Sequence, residues 1–285
     1  MRTCLERNNA DATASETVVS IVESVSLGEV GRRAIADSYS AGHAFFTMSD
    51  NEKRACMGPY GCGFRPYGIE HSGQPDHPDR IESFTVSRRF AHLGRDLTSP
   101  AARRLHKALL RLFNVLEPVA DELMRSWATE VAGGKRAEAL HGGLSAWSLV
   151  QMNCSLSTGS HEFINSDHED GTLLTLCGAD GPGLEIEQAN GEFRARAPIA
   201  DEMTVLPGEV AWLLSGGLIK PQRHRVRGGV AGRRQSLLFF ADLEPALCKA
   251  WVASPINAGV DIGSRVLTTP GEFGLPPLPP LGCAK

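Results

Sequence analysis

The sequence predicts a mainly β protein with supporting helices, folded as a β-sandwich or barrel. Its 285 residues include 30 glycines and 17 prolines without low-complexity sequence, a density that indicates many turns. From Trp147 onward, short runs of strand-forming residues alternate with glycine-containing breaks at regular intervals. One long segment upstream shows helical periodicity instead. A chain of this length buries a sizeable core without disulfides.

Composition and charge disfavour several classes of protein. Apolar residues make up 42 % and charged residues 22 %, which is typical of a folded domain. The formal net charge of −4 disfavours nucleic-acid binding through a diffuse basic surface. No apolar run is long enough for a membrane span, and the N-terminus lacks the apolar run of a secretory signal. The seven cysteines form no CxxC pair, so we expect a reduced, cytoplasmic protein without a thiolate metal site.

The chain is expected to hold one domain, over residues 17–275. Residues 17–146 would form its helical N-terminal part, and residues 147–245 its β core. The polar residues 1–16 are expected to be flexible. The proline-rich tail, 276–285, is expected to run along the surface in an extended conformation.

The N-terminal part contains one strand, two helices and an ordered loop by prediction. The β-branched run 18–22 predicts the strand, and 31–39 predicts a helix that ends near Gly42. The segment 57–72 is rich in glycine, proline and aromatics, which favours an ordered loop over a linker. A long helix is predicted from Pro100, after a Thr-Ser cap, to the glycine pair at 133–134. Its apolar positions recur at three- or four-residue steps: Leu105, Leu109, Leu112, Leu116, Val119, Leu123 and Trp127.

The β core is predicted from short apolar runs separated by turn residues. Strands are expected at 173–176, 184–186, 193–196, 203–206, 210–214, 224–226 and 236–240.

A candidate metal site opens this region. Side chains two residues apart in a strand point to the same face, so His168 and Asp170 converge on one point. His224 lies far enough along the chain for several strands to return to them. Two histidines and one carboxylate leave three positions open on an octahedral metal, the facial triad of non-haem Fe(II) oxygenases. Each residue alone is more often a surface or core residue, so the interpretation depends on the next strand.

That next strand carries Arg234 and Ser236 on one face. A guanidinium fork beside a hydroxyl suits a carboxylate bidentately. Pairing with the His224 strand across a turn at 227–232 would bring Arg234 near the metal end, with Phe239 and Phe240 as apolar lining. The alternative is an ordinary basic turn, since arginines crowd this segment.

Seven short motifs follow one another along residues 153–243. They are His168-x-Asp170-Gly171-Thr172, Gly183-Leu184-Glu185-Ile186, Gly191-Glu192-Phe193, Pro207-Gly208, Ser215-Gly216-Gly217, His224-Arg225-Val226 and Arg234-x-Ser236. In order and spacing, this set resembles the Fe(II)/2-oxoglutarate-dependent dioxygenases of the isopenicillin N synthase-like family. Weaker similarity extends over most of residues 17–275.

The resemblance implies a double-stranded β-helix core, a cupin-like jelly roll backed by the long helix. It implies that His168, Asp170 and His224 hold Fe(II). It also implies that Arg234 and Ser236 bind the distal carboxylate of 2-oxoglutarate, the co-substrate consumed with O2.

One co-substrate motif of the family is only half present. Asn153 matches the first residue of an Asn-x-Tyr motif that helps to hold 2-oxoglutarate, whereas Ser155 stands at the tyrosine position. How the co-substrate is anchored at that point stays open.

Substrate selection is assigned to the segments 60–72 and 81–89. The candidate pocket residues are Arg65, Tyr67, Glu70, His71 and Phe84, with simple loop packing as the alternative for each. Arg65 is a candidate partner for the carboxylate of an amino-acid-like substrate.

The sequence therefore predicts a non-haem Fe(II)/2-oxoglutarate-dependent oxygenase. It would hydroxylate, desaturate or cyclise a small molecule, such as an amino acid or specialised metabolite, while decarboxylating 2-oxoglutarate to succinate. One alternative is an Fe(II) oxidase of the same fold whose Arg-x-Ser pair holds a substrate carboxylate. Another is a non-catalytic small-molecule binding protein. We expect a small-molecule partner, no nucleic acid and no membrane; the oligomeric state is open, and a monomer fits the sequence.

Overall fold

The computed structural model describes residues 19, 21–155, 162–228 and 233–279. Its strands are β1 (Ser24–Ser26), β2 (Gly63–Arg65), β3 (Ile81–Ser87), β4 (Leu149–Ser155), β5 (Phe163–His168), β6 (Leu174–Ala179), β7 (Leu184–Glu187), β8 (Phe193–Ala195), β9 (Glu202–Pro207), β10 (His224–Arg227) and β11 (Arg234–Ala241). Its α-helices are α1 (Gly28–Phe46), α2 (Asp50–Arg54), α3 (Pro100–Ala132), α4 (Gly134–Ala139), α5 (Glu209–Leu214) and α6 (Ile262–Thr268).

The strands form two antiparallel sheets. The larger sheet has seven strands in the order β1-β9-β6-β11-β4-β3-β2, and the smaller has four in the order β5-β10-β7-β8. The sheets face each other, because Leu184 of the smaller sheet packs with Cys177 and Leu206 of the larger one. This arrangement is the predicted jelly roll.

The outer face of the larger sheet packs against α1 and α3 over the main core. Phe239 of β11 meets Phe113 of α3 edge-to-face at 5.1 Å between ring centroids. Phe84 of β3 meets Phe45 of α1 in the same way at 4.9 Å. Such aromatic pairs contribute about 0.5–1.5 kcal/mol beyond their burial.

The long helix α3 confirms the sequence prediction. It begins with Pro100 directly after Ser99, whose side chain accepts a hydrogen bond from the Ala102 amide at 3.4 Å. It ends at Gly133, which has a φ of 85° that favours glycine.

The prediction that the first helix ends near Gly42 is wrong, because α1 continues to Phe46. Gly42 reflects close packing instead: a Cβ there would lie 2.0 Å from Met152 Sδ and 2.4 Å from Gln235 Oε1. The glycine therefore allows α1 to approach the sheet.

Replacing Gly42 with alanine is expected to destabilise the fold by about 1–3 kcal/mol, the usual cost of overpacking a core. Urea unfolding measures this change. Gly134→Ala is the matched control, since a Cβ at Gly134 has nothing within 4 Å. Equal stability of the two variants would contradict the close approach.

Three local predictions are wrong. The segment 210–214 lies in helix α5, because the apolar run follows the turn at Gly208 and the amide of Glu209 donates to the Asp170 carbonyl. The first strand is Ser24–Ser26, beyond the described part of 18–22. β10 and β11 do not pair: β10 lies between β5 and β7, and β11 between β4 and β6.

Part of the predicted organisation lies outside the described residues. This applies to the N-terminus 1–16, to 280–285 of the tail, and to 229–232 of the predicted turn. The domain boundaries remain predictions. None of the described helices combines the length and apolarity that crossing a membrane requires.

Candidate metal centre and carboxylate site

The three predicted metal ligands meet at one edge of the smaller sheet. His168 ends β5 and lies directly opposite His224, which begins β10. Asp170 follows β5 by two residues. One potential ligand atom from each side chain lies within 4.8 Å of the others, and the two imidazole centroids are 4.4 Å apart. The arrangement brings two imidazoles and a carboxylate to one point, with Asp170 and His224 buried.

Backbone carbonyls set the orientation of both imidazoles. His168 Nδ1 lies 2.7 Å from the Ser166 carbonyl oxygen, and His224 Nδ1 lies 3.0 Å from the Gln222 carbonyl oxygen. A carbonyl only accepts, so each Nδ1 carries the hydrogen and leaves Nε2 as the potential ligand. His168 Nε2 lies 3.6 Å from Asp170 Oδ1.

The carboxylate of Asp170 is held in its charged form. Burial alone opposes ionisation, but His224 and the hydrogen bond with His168 outweigh it and lower the pKa of Asp170 to about 2. Burial and the neighbouring His168 lower the pKa of His224. For His168, burial opposes protonation, but the hydrogen bond with Asp170 outweighs burial and raises the pKa, so metal binding there would displace a proton. Two imidazoles and an ionised carboxylate are a donor set that fits Fe(II).

Thr175 of β6 supports the centre from the larger sheet. Its hydroxyl donates to Asp170 Oδ2 at 2.5 Å. The sequence interpretation missed this residue, although a threonine at the start of the next strand was the available signal.

Replacing Thr175 with valine is expected to weaken metal affinity about 10-fold, the lower end of what partners of metal ligands contribute. Calorimetric titration with Mn(II) measures the affinity. Thr204→Val on β9 is the control, because Thr204 is also buried in the sheet but opposes Cys177 instead of contacting Asp170. An unchanged affinity in Thr175→Val would contradict the supporting role.

The contact of Thr175 with Asp170 also defines the inward face of the larger sheet. Thr175 pairs with Phe240 of β11, so both side chains share that face. Steps of two residues along β11 then place Ser236 and Arg234 on the same inward face. The predicted carboxylate pair therefore lies on the inward face of the larger sheet, the face from which Thr175 contacts the candidate metal centre.

Arg234 is a buried cation, with 6 % of its surface exposed. Its Nε donates to the carbonyls of Gly181 and Pro182 at 3.2 and 2.9 Å. In the described part of the chain, no carboxylate forms an ion pair with it. Buried charges are ordinarily paired, so the site suits an anion.

Strand β4 lies beside Arg234 and Ser236 at the candidate carboxylate site. Asn153 lies directly opposite Ser236, and Ser155 lies opposite Arg234. The Ser155 hydroxyl is buried and has no hydrogen-bond partner within the described residues. It is a further unused polar group beside the buried guanidinium.

No family model matches this sequence. The chain is 24 % identical over 218 residues to scopoletin 8-hydroxylase of Arabidopsis thaliana, a match that covers 73 % of this chain and 58 % of that protein. It superposes on JOX2 in complex with 2OG, Fe and JA with a TM-score of 0.64 and 16 % identity, covering 76 % of this chain and 65 % of the other. For a full-length Neurospora crassa protein in complex with alpha-KG and 5-formyluracil, the TM-score is 0.66 and the identity 14 %, with 85 % and 84 % covered.

The chain has the 2-oxoglutarate/Fe(II) oxygenase fold. The predicted fold class and resemblance are therefore confirmed. The chain spans less than two thirds of the length of scopoletin 8-hydroxylase and of JOX2.

Within this oxygenase fold, Arg65 and Glu70 form a buried pair, with Arg65 Nε 3.0 Å from Glu70 Oε1. The two terminal nitrogens of Arg65 donate to the Gly61 carbonyl and to Gln151 Oε1. Gln151 Nε2 donates to Glu70 Oε2 at 2.9 Å. The hypothesis that Arg65 pairs with a substrate carboxylate is thus corrected, because its three nitrogens already have partners.

One substrate candidate and one predicted lining residue point away from the interior of the jelly roll. Phe84 points outward into the helix-packed core, being next to the inward-facing Ser83, so its predicted role is wrong. Phe239 points outward in the same way. Tyr67 is 45 % exposed and stays an untested prediction.

The segment 269–273, called the C-terminal segment here, lies beside the candidate metal centre. The Phe273 ring lies 6.2 Å from the His168 ring between centroids. The amide of His71 donates to the Phe273 carbonyl at 3.4 Å, and His71 Nδ1 is buried without a partner in the described residues. The weaker family similarity extends over 270–273, but no local pattern in that stretch predicted its position beside His168.

Proposed function

We propose that this protein is a non-haem Fe(II)/2-oxoglutarate-dependent oxygenase that acts on a small molecule. The proposal rests on one observation. Arg234 is a buried guanidinium without an acidic partner in the described residues, and it lies on the inward face of the larger sheet, whereas His168 and His224 belong to the smaller sheet. This arrangement suits a dicarboxylate that binds the metal at one end and the guanidinium at the other.

His168, Asp170 and His224 would hold Fe(II), which supplies O2 activation coupled to the decarboxylation of 2-oxoglutarate to succinate. Arg234 and Ser236 would bind the distal carboxylate by charge and hydrogen bonding.

Apolar side chains lie between these two polar ends. Cys177, Leu184, Leu206 and Leu238 pack together inside the jelly roll. They would contact the methylene groups of the co-substrate and exclude water from its carboxylate. The lower local dielectric would strengthen the pairing with Arg234.

The substrate would lie on the side of the centre where the C-terminal segment lies. His71 and Phe273 meet there beside His168 and offer a polar atom and an aromatic ring. Hydroxylation is the outcome we propose first, because the curated relative is named as a hydroxylase. A ring-containing small molecule would suit the Phe273 ring.

The experiment adds Fe(II) and 2-oxoglutarate under anaerobic conditions and records the visible metal-to-ligand charge-transfer band. Admission of air with candidate small molecules then tests for succinate by mass spectrometry. We expect the band, and succinate that rises with the true substrate. A band without succinate for any compound would favour a binding protein. Substrate oxidation without succinate would favour the oxidase. If neither the band nor succinate is observed, the proposal is overturned.

A further inference from the structure

We propose that the Arg65–Glu70 pair, acting through Gln151, fixes the orientation of the Asn153 side chain so that its amide nitrogen faces the carboxylate site. These residues would be positioning residues for the co-substrate anchor. This inference rests on the proposed function, because the anchor is the site assigned to 2-oxoglutarate.

One row of inward-facing residues crosses the larger sheet at the level of the carboxylate site. Arg65 pairs with Ser83, Ser83 with Asn153, and Asn153 with Ser236. Directly opposed residues share a face, with Cβ atoms about 4.5–5.5 Å apart. The row therefore runs without a gap from the Arg65–Glu70 pair to the serine of the carboxylate site.

The chemistry of its neighbours decides how the Gln151 amide is turned. Arg65 only donates, so the atom of Gln151 that it meets is the oxygen. The Thr85 hydroxyl also donates to that oxygen, at 3.4 Å. Glu70 accepts, so it meets the nitrogen of Gln151, at 2.9 Å. In the reverse orientation, the Gln151 nitrogen would face the Arg65 donor and the Gln151 oxygen would face the Glu70 acceptor.

The same logic then fixes Asn153. The second hydrogen of Gln151 Nε2 goes to Asn153 Oδ1, at 2.7 Å. With its oxygen engaged on the Gln151 side, Asn153 turns its amide nitrogen to the other side. Ser236 is its neighbour there, on β11. An N–H donor is the group that a carboxylate bound by Ser236 and Arg234 needs.

Glu70 is ionised in this setting. Burial alone raises its pKa, but the charge of Arg65 and its hydrogen bond outweigh that effect and hold the pKa of Glu70 below its usual value. The Ser83 hydroxyl also donates to Glu70. The carboxylate is therefore a pure acceptor, and the direction of donation along the relay is fixed.

The test compares two substitutions of Gln151 that leave the Arg65–Glu70 pair in place. Gln151→Met removes the relay and leaves Asn153 free to turn, so the dissociation constant of 2-oxoglutarate should rise about ten-fold. The carboxyl group of Gln151→Glu still accepts from Arg65 and meets Glu70 through one shared proton. It has no second hydrogen to donate, so it requires Asn153 to donate to it. Asn153 then turns its oxygen towards the bound carboxylate, and the dissociation constant should rise about 100-fold.

The dissociation constants are measured by calorimetry on the Mn(II)-loaded full chain, where no turnover occurs. Gln235→Met is the matched control, because Gln235 is a buried glutamine next to Ser236 that points to the outer face, towards Gly42. Its variant should bind 2-oxoglutarate like the wild type. In an Asn153→Ala background, Gln151→Met and Gln151→Glu should have nearly the same dissociation constant for 2-oxoglutarate. A purely structural role of Gln151 would leave the difference between the two constants unchanged.

Wild-type binding by Gln151→Glu, or equal effects of Gln151→Glu with and without Asn153, would overturn this inference alone. If the Gln151 variants fail to fold, Glu70→Gln and Asn153→Asp provide the same comparison from either end of the relay. A wild-type protein that binds Mn(II) but not 2-oxoglutarate would overturn the proposed function and this inference together.

Discussion

Replacing Asp170 with alanine is expected to abolish succinate formation and to reduce Fe(II) affinity by more than the roughly 100-fold that partners of metal ligands contribute. The reason is that Asp170 supplies the negative charge among the three candidate ligands. Its removal leaves two imidazoles, of which His224 is buried with a pKa already lowered by burial. Anaerobic calorimetry with Fe(II) measures the affinity, and mass spectrometry measures succinate.

Asp167→Ala is the matched control for this substitution. Asp167 lies three positions earlier in the chain, and its carboxylate pairs with Arg223 at the protein surface. Its variant should bind Fe(II) like the wild type, since exposed ion pairs contribute about 0–1 kcal/mol. Retained Fe(II) affinity in Asp170→Ala would show that the metal does not bind at this triad.

Replacing Arg234 with glutamine is expected to raise the dissociation constant of 2-oxoglutarate about 100-fold or more, because a bound carboxylate would lose its buried charged partner. Arg234→Lys should fall between that variant and the wild type, since lysine keeps the charge but lacks the planar fork. Titration of the anaerobic charge-transfer band measures each constant. Metal affinity should be unchanged in both variants.

The adjacent arginine provides the control. Arg233 is exposed, and its Nη1 donates to the Phe46 carbonyl at 2.7 Å. Arg233→Gln should therefore leave 2-oxoglutarate affinity unchanged. If Arg234→Gln instead weakened only the binding of the organic substrate, Arg234 would hold a substrate carboxylate, as in the oxidase alternative.

The parts that the sequence predicted depend on short-range patterns. The two-residue step from His168 to Asp170 places both residues beside the end of one strand. Helix α3 is predicted by its cap, its proline and its apolar spacing. The carboxylate pair was predicted for a similar reason, because Arg234 and Ser236 share a face through strand alternation alone.

The parts that failed depend on which elements meet. The run at 210–214 is apolar enough to form either a buried strand or a buried helix. After the turn at Gly208 it forms helix α5. The relay of Glu70, Gln151 and Asn153 joins three distant segments, so no local pattern reveals it. Likewise, Arg65 looked like a free cation because its partner carboxylate lies across a loop.

The position of β11 has a consequence for how the protein is made. It is the last strand of the larger sheet along the chain, yet it lies in the middle, between β6 and β4. During synthesis, the strands on either side of β11, β1-β9-β6 and β4-β3-β2, have unpaired edges until residue 241 has been added. Closure depends on contacts distant in sequence, so folding is expected to be slow. Because β11 carries Arg234 and Ser236, the insertion of this strand would complete the candidate carboxylate site and remove the two exposed sheet edges in one step.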